Sequence, residues 1–161
     1  MAFDENKEDI VQLIGFYVGQ KFFGTDILTV REILRDPVIK TVDQAPDSIS
    51  GMVQLRGRTI PIVDLKRRLG DQSNNDRSDQ KWVLIAQVGD MALGFIADAV
   101  TRIFRIDPNS ILPAPELILS GMAVQYIRGV CESESGMLVV LELNRILTGD
   151  EIKALKKMDM Q

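Results

Sequence analysis

Hydrophobic and polar positions alternate along most of the chain, in short runs that occur in pairs. Two alternating runs joined by a few turn residues are typical of an antiparallel β-hairpin. The pattern predicts four such hairpins, with strands at residues 10–18 and 21–25, 51–55 and 59–64, 82–88 and 91–96, and 126–132 and 137–141. Strands therefore dominate the predicted fold.

Helical periodicity is confined to short segments. Residues 64–69 and 143–147 each predict one or two helical turns, and residues 150–160 predict a C-terminal helix. The apolar face of that helix comprises Ile152, Leu155 and Met158. Residues 70–80 contain no apolar side chain, and they predict an exposed linker.

An internal repeat is the most informative feature of the sequence. Residues 18–35 align without a gap with residues 88–105, and residues 49–69 align in the same way with residues 127–147. Identical pairs include Gly19/Gly89, Gly24/Gly94, Val30/Val100, Ile33/Ile103, Gly51/Gly129 and Leu65/Leu143. The same order of elements occurs twice, which predicts two similar lobes of about five short strands each.

The predicted fold is all-β with short helices. We expect lobe 1 at residues 10–70, lobe 2 at residues 81–147 and the C-terminal helix within residues 148–161. Lobes of this size close into small five-stranded barrels of the SH3 or OB type, because closure removes exposed strand edges. The repeat leaves open whether the two lobes exchange strands.

Composition excludes several classes of function. The chain has no histidine, which removes Ser-His-Asp and Cys-His catalysis, histidine metal sites and a phosphohistidine relay. A net charge of −4 and an aromatic content of 6% disfavour nucleic-acid binding, which needs a basic surface. We therefore expect no catalytic residue, no cofactor, no metal and no nucleic-acid partner.

The sequence predicts a cytoplasmic protein without direct membrane insertion. The longest uncharged runs, residues 10–20 and 117–127, are too short to span a bilayer. The first residues are acidic and polar, unlike a secretory signal. The single cysteine, Cys131, fits a reducing compartment, and its apolar surroundings in sequence predict a buried, unreactive thiol.

Two acidic residues occupy equivalent repeat positions. Asp64 and Glu142 each stand at the end of a predicted strand and the start of a helical turn. An acidic side chain at a helix start is stabilised by the helix dipole, so both are predicted to cap helices. A small enzyme that uses Asp64, Glu142 or another acidic residue for acid–base chemistry is the remote alternative.

A local basic cluster stands out on an acidic chain, and it is predicted to bind a partner. The cluster comprises Arg56, Arg58, Lys66, Arg67 and Arg68. Gly57 lies beside Arg56 at a predicted hairpin tip, where it is expected to need a positive φ.

Matched apolar strips form a second candidate surface. Val30 and Ile33 in residues 26–35, with Val100 and Ile103 in the second repeat, fit strand and helix spacing alike. Most residues of these segments belong to a core. If some face outwards, two equivalent strips border a cleft between the lobes, and such a groove fits a partner helix.

Four segments resemble the CheW-like domain family. They read TDILTVREIL, ISGMVQLRGRTIPIVDL, GFIADAV and ILPAP, and the resemblance runs from about residue 10 to residue 147. Gln54 and Ala97 depart from the asparagine and valine that the family favours there. The resemblance implies two five-stranded barrels with exchanged segments. It also implies a non-enzymatic adaptor that couples methyl-accepting chemotaxis receptors to the chemotaxis histidine kinase CheA.

The resemblance also implies where the partners bind. The CheW-like regulatory domain of the kinase is expected at the hairpin tip that carries Arg56, Gly57 and Arg58. The helical signalling tip of a receptor is expected in the cleft between the lobes. The receptor-binding candidates are Val30, Ile33, Val100 and Ile103 as apolar walls and Glu32 as a polar rim contact. Such an adaptor is recruited to membrane receptor arrays, and a coupler of a related gliding or pilus motility pathway is the alternative.

Overall fold

The computed structural model describes residues 10–43, 45–47, 49–69, 80–115 and 124–159. The strands are β1 (Val11–Val18), β2 (Lys21–Asp26), β3 (Val30–Arg35), β4 (Ile49–Leu55), β5 (Arg58–Val63), β6 (Trp82–Val88), β7 (Met91–Ala97), β8 (Ala99–Ile106), β9 (Ile127–Ser133) and β10 (Gly136–Leu141). The α-helices are α1 (Leu65–Arg68) and α2 (Gly149–Asp159), and short 3-10 helices lie at Pro108–Ser110, Val124–Tyr126 and Leu143–Arg145.

All four predicted hairpins are present, with strand ends within two residues of the predicted ones. The apolar strips of residues 26–35 and of their copy in the second repeat fitted both strand and helix spacing. Both strips lie on strands, β3 and β8. The predicted linker lies outside the described residues except for residue 80, and so does the side chain of Met158. Within the described ranges, no helix is long and apolar enough to cross a membrane.

The ten strands form two five-stranded sheets, and each sheet draws on both halves of the repeat. Barrel 1 has the strand order β8-β1-β2-β10-β9, and barrel 2 has the order β3-β6-β7-β5-β4. Barrel 2 is thus built from one continuous stretch of chain, whereas barrel 1 combines the first hairpin with β8, β9 and β10. The expected lobes at residues 10–70 and 81–147 are wrong as units of the fold, and strand exchange is present.

Four strand pairs join the two repeats, namely the antiparallel pairs β1–β8 and β3–β6 and the parallel pairs β2–β10 and β5–β7. β2 of the first repeat pairs with β10 of the second through Phe23 and Val139, and β7 of the second pairs with β5 of the first through Phe95 and Val63. Because the two repeats present matching edges, the hydrophobic pattern specifies that β2 and β7 are strands without specifying which barrel they complete.

The chain crosses from barrel 1 to barrel 2 at residues 27–29 and returns at Asp98. The return is anchored to the first hairpin. The backbone N–H of Asp98 donates to the carbonyl oxygen of Tyr17, and its buried carboxylate accepts hydrogen bonds from the backbone N–H of Gly19 and from Nζ of Lys81. Asp98 therefore fixes the crossover against the β1–β2 turn.

Short bridges close each sheet into a barrel. Lys40, beyond the end of β3, exchanges two backbone hydrogen bonds with Met52 of β4, and Leu112, beyond β8, does the same with Val130 of β9. The chains approach closely there because Gly51 and Gly129 have no side chain. A Cβ on Gly51 would lie 2.6 Å from the carbonyl oxygen of Lys40, and one on Gly129 would lie 2.5 Å from that of Leu112.

Side chains alternate between the barrel interiors and a hydrophobic layer between the two sheets, which we call the shared core. In β6, Val83 and Ile85 face the interior of barrel 2, whereas Leu84 and Ala86 face the shared core. In barrel 1, Cys131 faces the interior and is 3% exposed, which confirms the predicted burial of its side chain. Burial raises the pKa of its thiol.

We expect Gly51→Ala and Gly129→Ala each to lower the free energy of unfolding by about 1–3 kcal/mol, since the added methyl group must displace a backbone carbonyl. Urea unfolding followed by far-ultraviolet circular dichroism measures this loss. Gly149→Ala is the matched control, because no atom lies within 4 Å of its Cβ position and alanine favours helix. An equal loss in all three variants would contradict close approach as the cause.

Candidate binding surfaces

The β4–β5 turn is a two-residue hairpin loop with an unusual first residue. Arg56 has a φ of 52° and Gly57 a φ of 78°, and Leu55 pairs with Arg58 across the turn. Positive φ at both central positions is the geometry whose twist matches the flanking strands. The positive φ predicted for Gly57 is confirmed. Arginine rarely adopts such a backbone conformation, because its Cβ then lies close to the following carbonyl oxygen.

Glu32 of β3 is the side-chain partner of Arg56. Nη1 and Nη2 of Arg56 donate to the two carboxylate oxygens of Glu32 at 2.9 Å and 2.7 Å. These hydrogen bonds, and secondarily the attraction of the opposite charge, raise the pKa of Arg56. The side chain of Arg56 is 73% exposed, whereas that of Glu32 is 28% exposed. A kinase-binding candidate and a receptor-binding candidate therefore form one structural unit, in which Glu32 orients Arg56.

The repeat-related pair in barrel 1 has the opposite polarity. Arg102 of β8 aligns with Glu32, and Glu134 at the β9–β10 turn aligns with Arg56. Nη2 of Arg102 donates to Oε2 of Glu134 at 2.8 Å. The two barrel ends thus repeat the same arrangement, with a basic turn on barrel 2 and an acidic turn on barrel 1. Sequence reasoning missed this pair, although the repeat alignment places both residues.

The predicted basic cluster is not a single surface. Arg56 and α1 lie at opposite ends of β5, and a strand of six residues spans roughly 20 Å. Arg58 is exposed at the turn, whereas Arg68 is drawn into contacts with Glu151 and the carbonyl oxygen of Ile146. One patch was predicted because the five basic residues are close in sequence. The length of β5 separates the two ends of the cluster in the structure.

The two predicted carboxylates have separate structural roles. Asp64 caps α1 by accepting a hydrogen bond from the backbone N–H of Lys66 at 3.1 Å, as predicted. Glu142 makes no side-chain capping bond, and its carboxylate instead pairs with Nε of Arg145 at 3.0 Å. Glu142 stands at the N-cap position as predicted, but its longer side chain reaches a cation three residues ahead and the expected capping by the side chain is absent.

The apolar strips lie on strands at the edges of the two sheets. β3 pairs with β6 in barrel 2, and β8 pairs with β1 in barrel 1. Val30, Ile33 and Val100 are half-buried and pack against the shared core. Ile103 is 50% exposed, and it is the member of the set most accessible to a partner.

Cavities adjoin both candidate surfaces. A cavity of about 330 Å³ opens where β5 and β7 diverge, and Gly57, Arg58 and Asp90 lie on its rim. A cavity of about 560 Å³ is lined by residues 102–106 of β8 and by residues 132–134 at the end of β9, and Ile103 and Glu132 are among them. Each barrel therefore presents a concave site beside its turn.

We expect Val30→Asp to lower the melting temperature sharply and Ile103→Asp to leave it nearly unchanged. The first substitution places an unpaired carboxylate against the shared core, whereas the second places it at a half-exposed position. Thermal unfolding of the two variants measures the difference. Equal melting temperatures would contradict the burial assigned to these strips.

The chain is similar in sequence to a known domain family and to characterised members of it. The CheW-like domain profile matches residues 12–151. The Chemotaxis protein CheW of Rhizobium meliloti (strain 1021) is 32% identical over 143 residues, covering 89% of this chain and 91% of the relative. The Chemotaxis protein CheW of Treponema pallidum (strain Nichols) is 28% identical over 147 residues, covering 89% and 86%.

A solved structure agrees with the fold. The crystal structure of scaffolding protein TtCheW from Thermoanaerobacter tengcongensis matches with a TM-score of 0.77 and 27% identity, over 88% of this chain and 90% of that one. The profile match covers both barrels and both crossovers. The chain therefore belongs to the family of CheW-like domains.

Proposed function

We propose that this chain is a non-enzymatic adaptor that joins the chemotaxis histidine kinase to methyl-accepting receptors. Its relatives are named chemotaxis proteins, and a structural relative is described as a scaffolding protein. These names favour chemotaxis over a gliding or pilus pathway. The observation that carries the proposal is the Arg56–Glu32 unit, which holds a charged turn in a defined orientation on the surface.

The β4–β5 turn is the surface proposed for the kinase. Arg56, Gly57 and Arg58 are exposed, and no atom lies within 4 Å of the Cβ position of Gly57. An ion pair already formed in the free protein lowers the conformational cost of binding, because the long arginine side chain is held in place. Glu32 supports this turn, so its proposed role is to position Arg56 rather than to line the receptor cleft.

The β8 edge is the surface proposed for the receptor tip. Ile103 is half-exposed beside the cavity between β8 and β9, and Val100 leads from the same strand into the shared core. An apolar anchor beside a concave site suits a helical partner, since desolvated apolar contacts supply most of the binding energy of such interfaces. Val30 and Ile33 present the related edge of barrel 2.

The two carboxylates named for the remote enzyme alternative are both engaged in structural contacts. Asp64 is engaged in capping α1, and Glu142 is paired with Arg145. They end different strands of different barrels. An adaptor needs neither group for chemistry.

We expect reciprocal losses of binding from two surface substitutions. Gly57→Asp should weaken binding of the CheW-like domain of the kinase about tenfold and leave receptor binding intact, because a bulky residue at this φ distorts the turn. Ile103→Asp should weaken binding of a receptor signalling-tip fragment by a similar factor and spare the kinase. Calorimetric titrations with both partners measure the four affinities.

Matched controls separate these sites from general effects of the substitutions. Gly136 also has a positive φ and open space around its Cβ position, but it lies on barrel 1, so Gly136→Asp should bind the kinase normally. Met137 is 48% exposed, close to the exposure of Ile103, so Met137→Asp should bind the receptor tip normally. Unchanged affinities in Gly57→Asp and Ile103→Asp, with native melting, would count against both surfaces.

A further inference from the structure

Asp98 is the only buried charged side chain among the residues that the structure describes. It is 5% exposed, and neither of the surfaces proposed for the kinase and the receptor includes it. A buried carboxylate is costly to desolvate unless it is paired with a cation and hydrogen-bonded. The partners of Asp98 therefore indicate what the residue holds in place.

The two oxygens of this carboxylate bind groups in different barrels. Oδ2 accepts a hydrogen bond from the backbone N–H of Gly19, in the β1–β2 turn of barrel 1. Oδ1 pairs with Nζ of Lys81, the residue before β6 of barrel 2. The backbone N–H of Asp98 also donates to the carbonyl oxygen of Tyr17 at 2.8 Å. Asp98 is therefore tied to both barrels at the point where β8 begins.

Lys81 in turn lies beside the end of β3. Its carbonyl oxygen accepts a hydrogen bond from the backbone N–H of Asp36 at 2.7 Å, and the next residue, Trp82, pairs with Arg35 of β3. Asp98 leads directly into β8. The ion pair of Lys81 with Asp98 thus joins the end of one strand that carries an apolar strip to the start of the other.

The repeat shows that a crossover between the barrels does not itself need this carboxylate. Position 98 aligns with Leu28, which lies in the other crossover and is 87% exposed. The backbone N–H of Leu28 donates to Oδ1 of Asp26, two residues before it. The first crossover is therefore built on local turn geometry, whereas the crossover into β8 is held to both barrels by a buried charge.

We propose that Asp98 is a positioning residue for the receptor surface on β8. It holds the first residues of β8, and with them Val100 and Ile103, in a fixed place relative to β3. The inference rests on the proposed function, in which the β8 edge binds the helical receptor tip. A surface that is ordered before binding loses less conformational entropy in the complex, so a fixed β8 strengthens receptor binding.

Asp98→Asn tests this role with little change in side-chain shape. The amide group of asparagine cannot accept a hydrogen bond, so either Gly19 or Lys81 loses its acceptor. We expect the affinity of the full-length chain for a receptor signalling-tip fragment to fall about tenfold, the effect of one hydrogen bond to a charged group. Affinity for the CheW-like domain of the kinase should stay unchanged, because the β4–β5 turn is closed by its own backbone pairing.

Lys81→Gln provides a second and milder test. It removes the charge that links Asp98 to barrel 2, whereas the hydrogen bond from Gly19 can remain. We expect the same selective loss of receptor affinity, but a smaller one. In Asp98→Asn, the backbone amides of Gly19 and of the first residues of β8 should also exchange hydrogen faster, while those of β4 and β5 stay as in wild type.

Thr25→Val is the matched control for the loss of a buried hydrogen bond. Thr25 is 1% exposed, and its Oγ1 donates to the carbonyl oxygen of Leu141 at 3.0 Å within barrel 1. Valine has nearly the same shape as threonine but cannot make this bond. The variant should be less stable than wild type and should bind the receptor tip with wild-type affinity.

Binding of the wild-type chain to the receptor fragment separates two kinds of failure. A wild-type chain that does not bind the fragment would contradict the proposed function itself. If the wild-type chain binds, unchanged receptor affinity in Asp98→Asn and Lys81→Gln would overturn the role of Asp98. A fall of equal size in Thr25→Val, or an equal loss of kinase affinity, would also overturn it, since each would indicate a general loss of stability.

Discussion

The shared core between the two sheets is the constraint on which the rest of the structure depends. Among the described residues it holds 22 buried hydrophobic side chains, whereas the interiors of barrels 1 and 2 hold 6 and 5. Interiors of that size cannot stabilise separate lobes, since small domains bury too little surface. Phe16 and Phe23 of barrel 1 meet Leu84 and Phe95 of barrel 2 in one layer. The two barrels are therefore expected to be stable only together.

Strand exchange reinforces this dependence and gives the molecule a fixed frame. The parallel pairs β2–β10 and β5–β7 place strands of both repeats in each sheet, and Asp98 anchors one crossover to the first hairpin. Surfaces on the two barrels then keep a constant relation to one another. The ion pairs at the two barrel ends have opposite polarity, so ends of similar shape differ in the charge that they present to a partner.

The sequence predicted those parts of the fold that depend on local pattern. Alternating hydrophobic positions and turn residues were sufficient to predict the hairpins, and the repeat was sufficient to predict two similar barrels. The position of Gly57 in a turn was sufficient to predict its positive φ. It did not predict which barrel β2 and β7 complete, because the two repeats present equivalent edges. It grouped Arg56 with Arg68 because neighbours in sequence can be separated by the length of a strand.

The pairing of charged side chains was the least predictable part of the candidate sites. Glu32 and Arg56 are brought together by the closing of barrel 2, which no local pattern encodes. Glu142 was expected to behave like Asp64, but its longer side chain reaches Arg145. The Arg68–Glu151 contact joins residues far apart in sequence and depends on the docking of α2.

Single natural probes in each barrel allow a direct test of the shared core. The chain has one tryptophan, Trp82 in barrel 2, and one cysteine, Cys131 inside barrel 1. Urea unfolding can be followed at equilibrium by Trp82 fluorescence and by the reactivity of the Cys131 thiol. Because both barrels depend on one shared core, we expect the two transitions to coincide in midpoint and slope. Two separate midpoints, with one barrel unfolding while the other remains native, would contradict it.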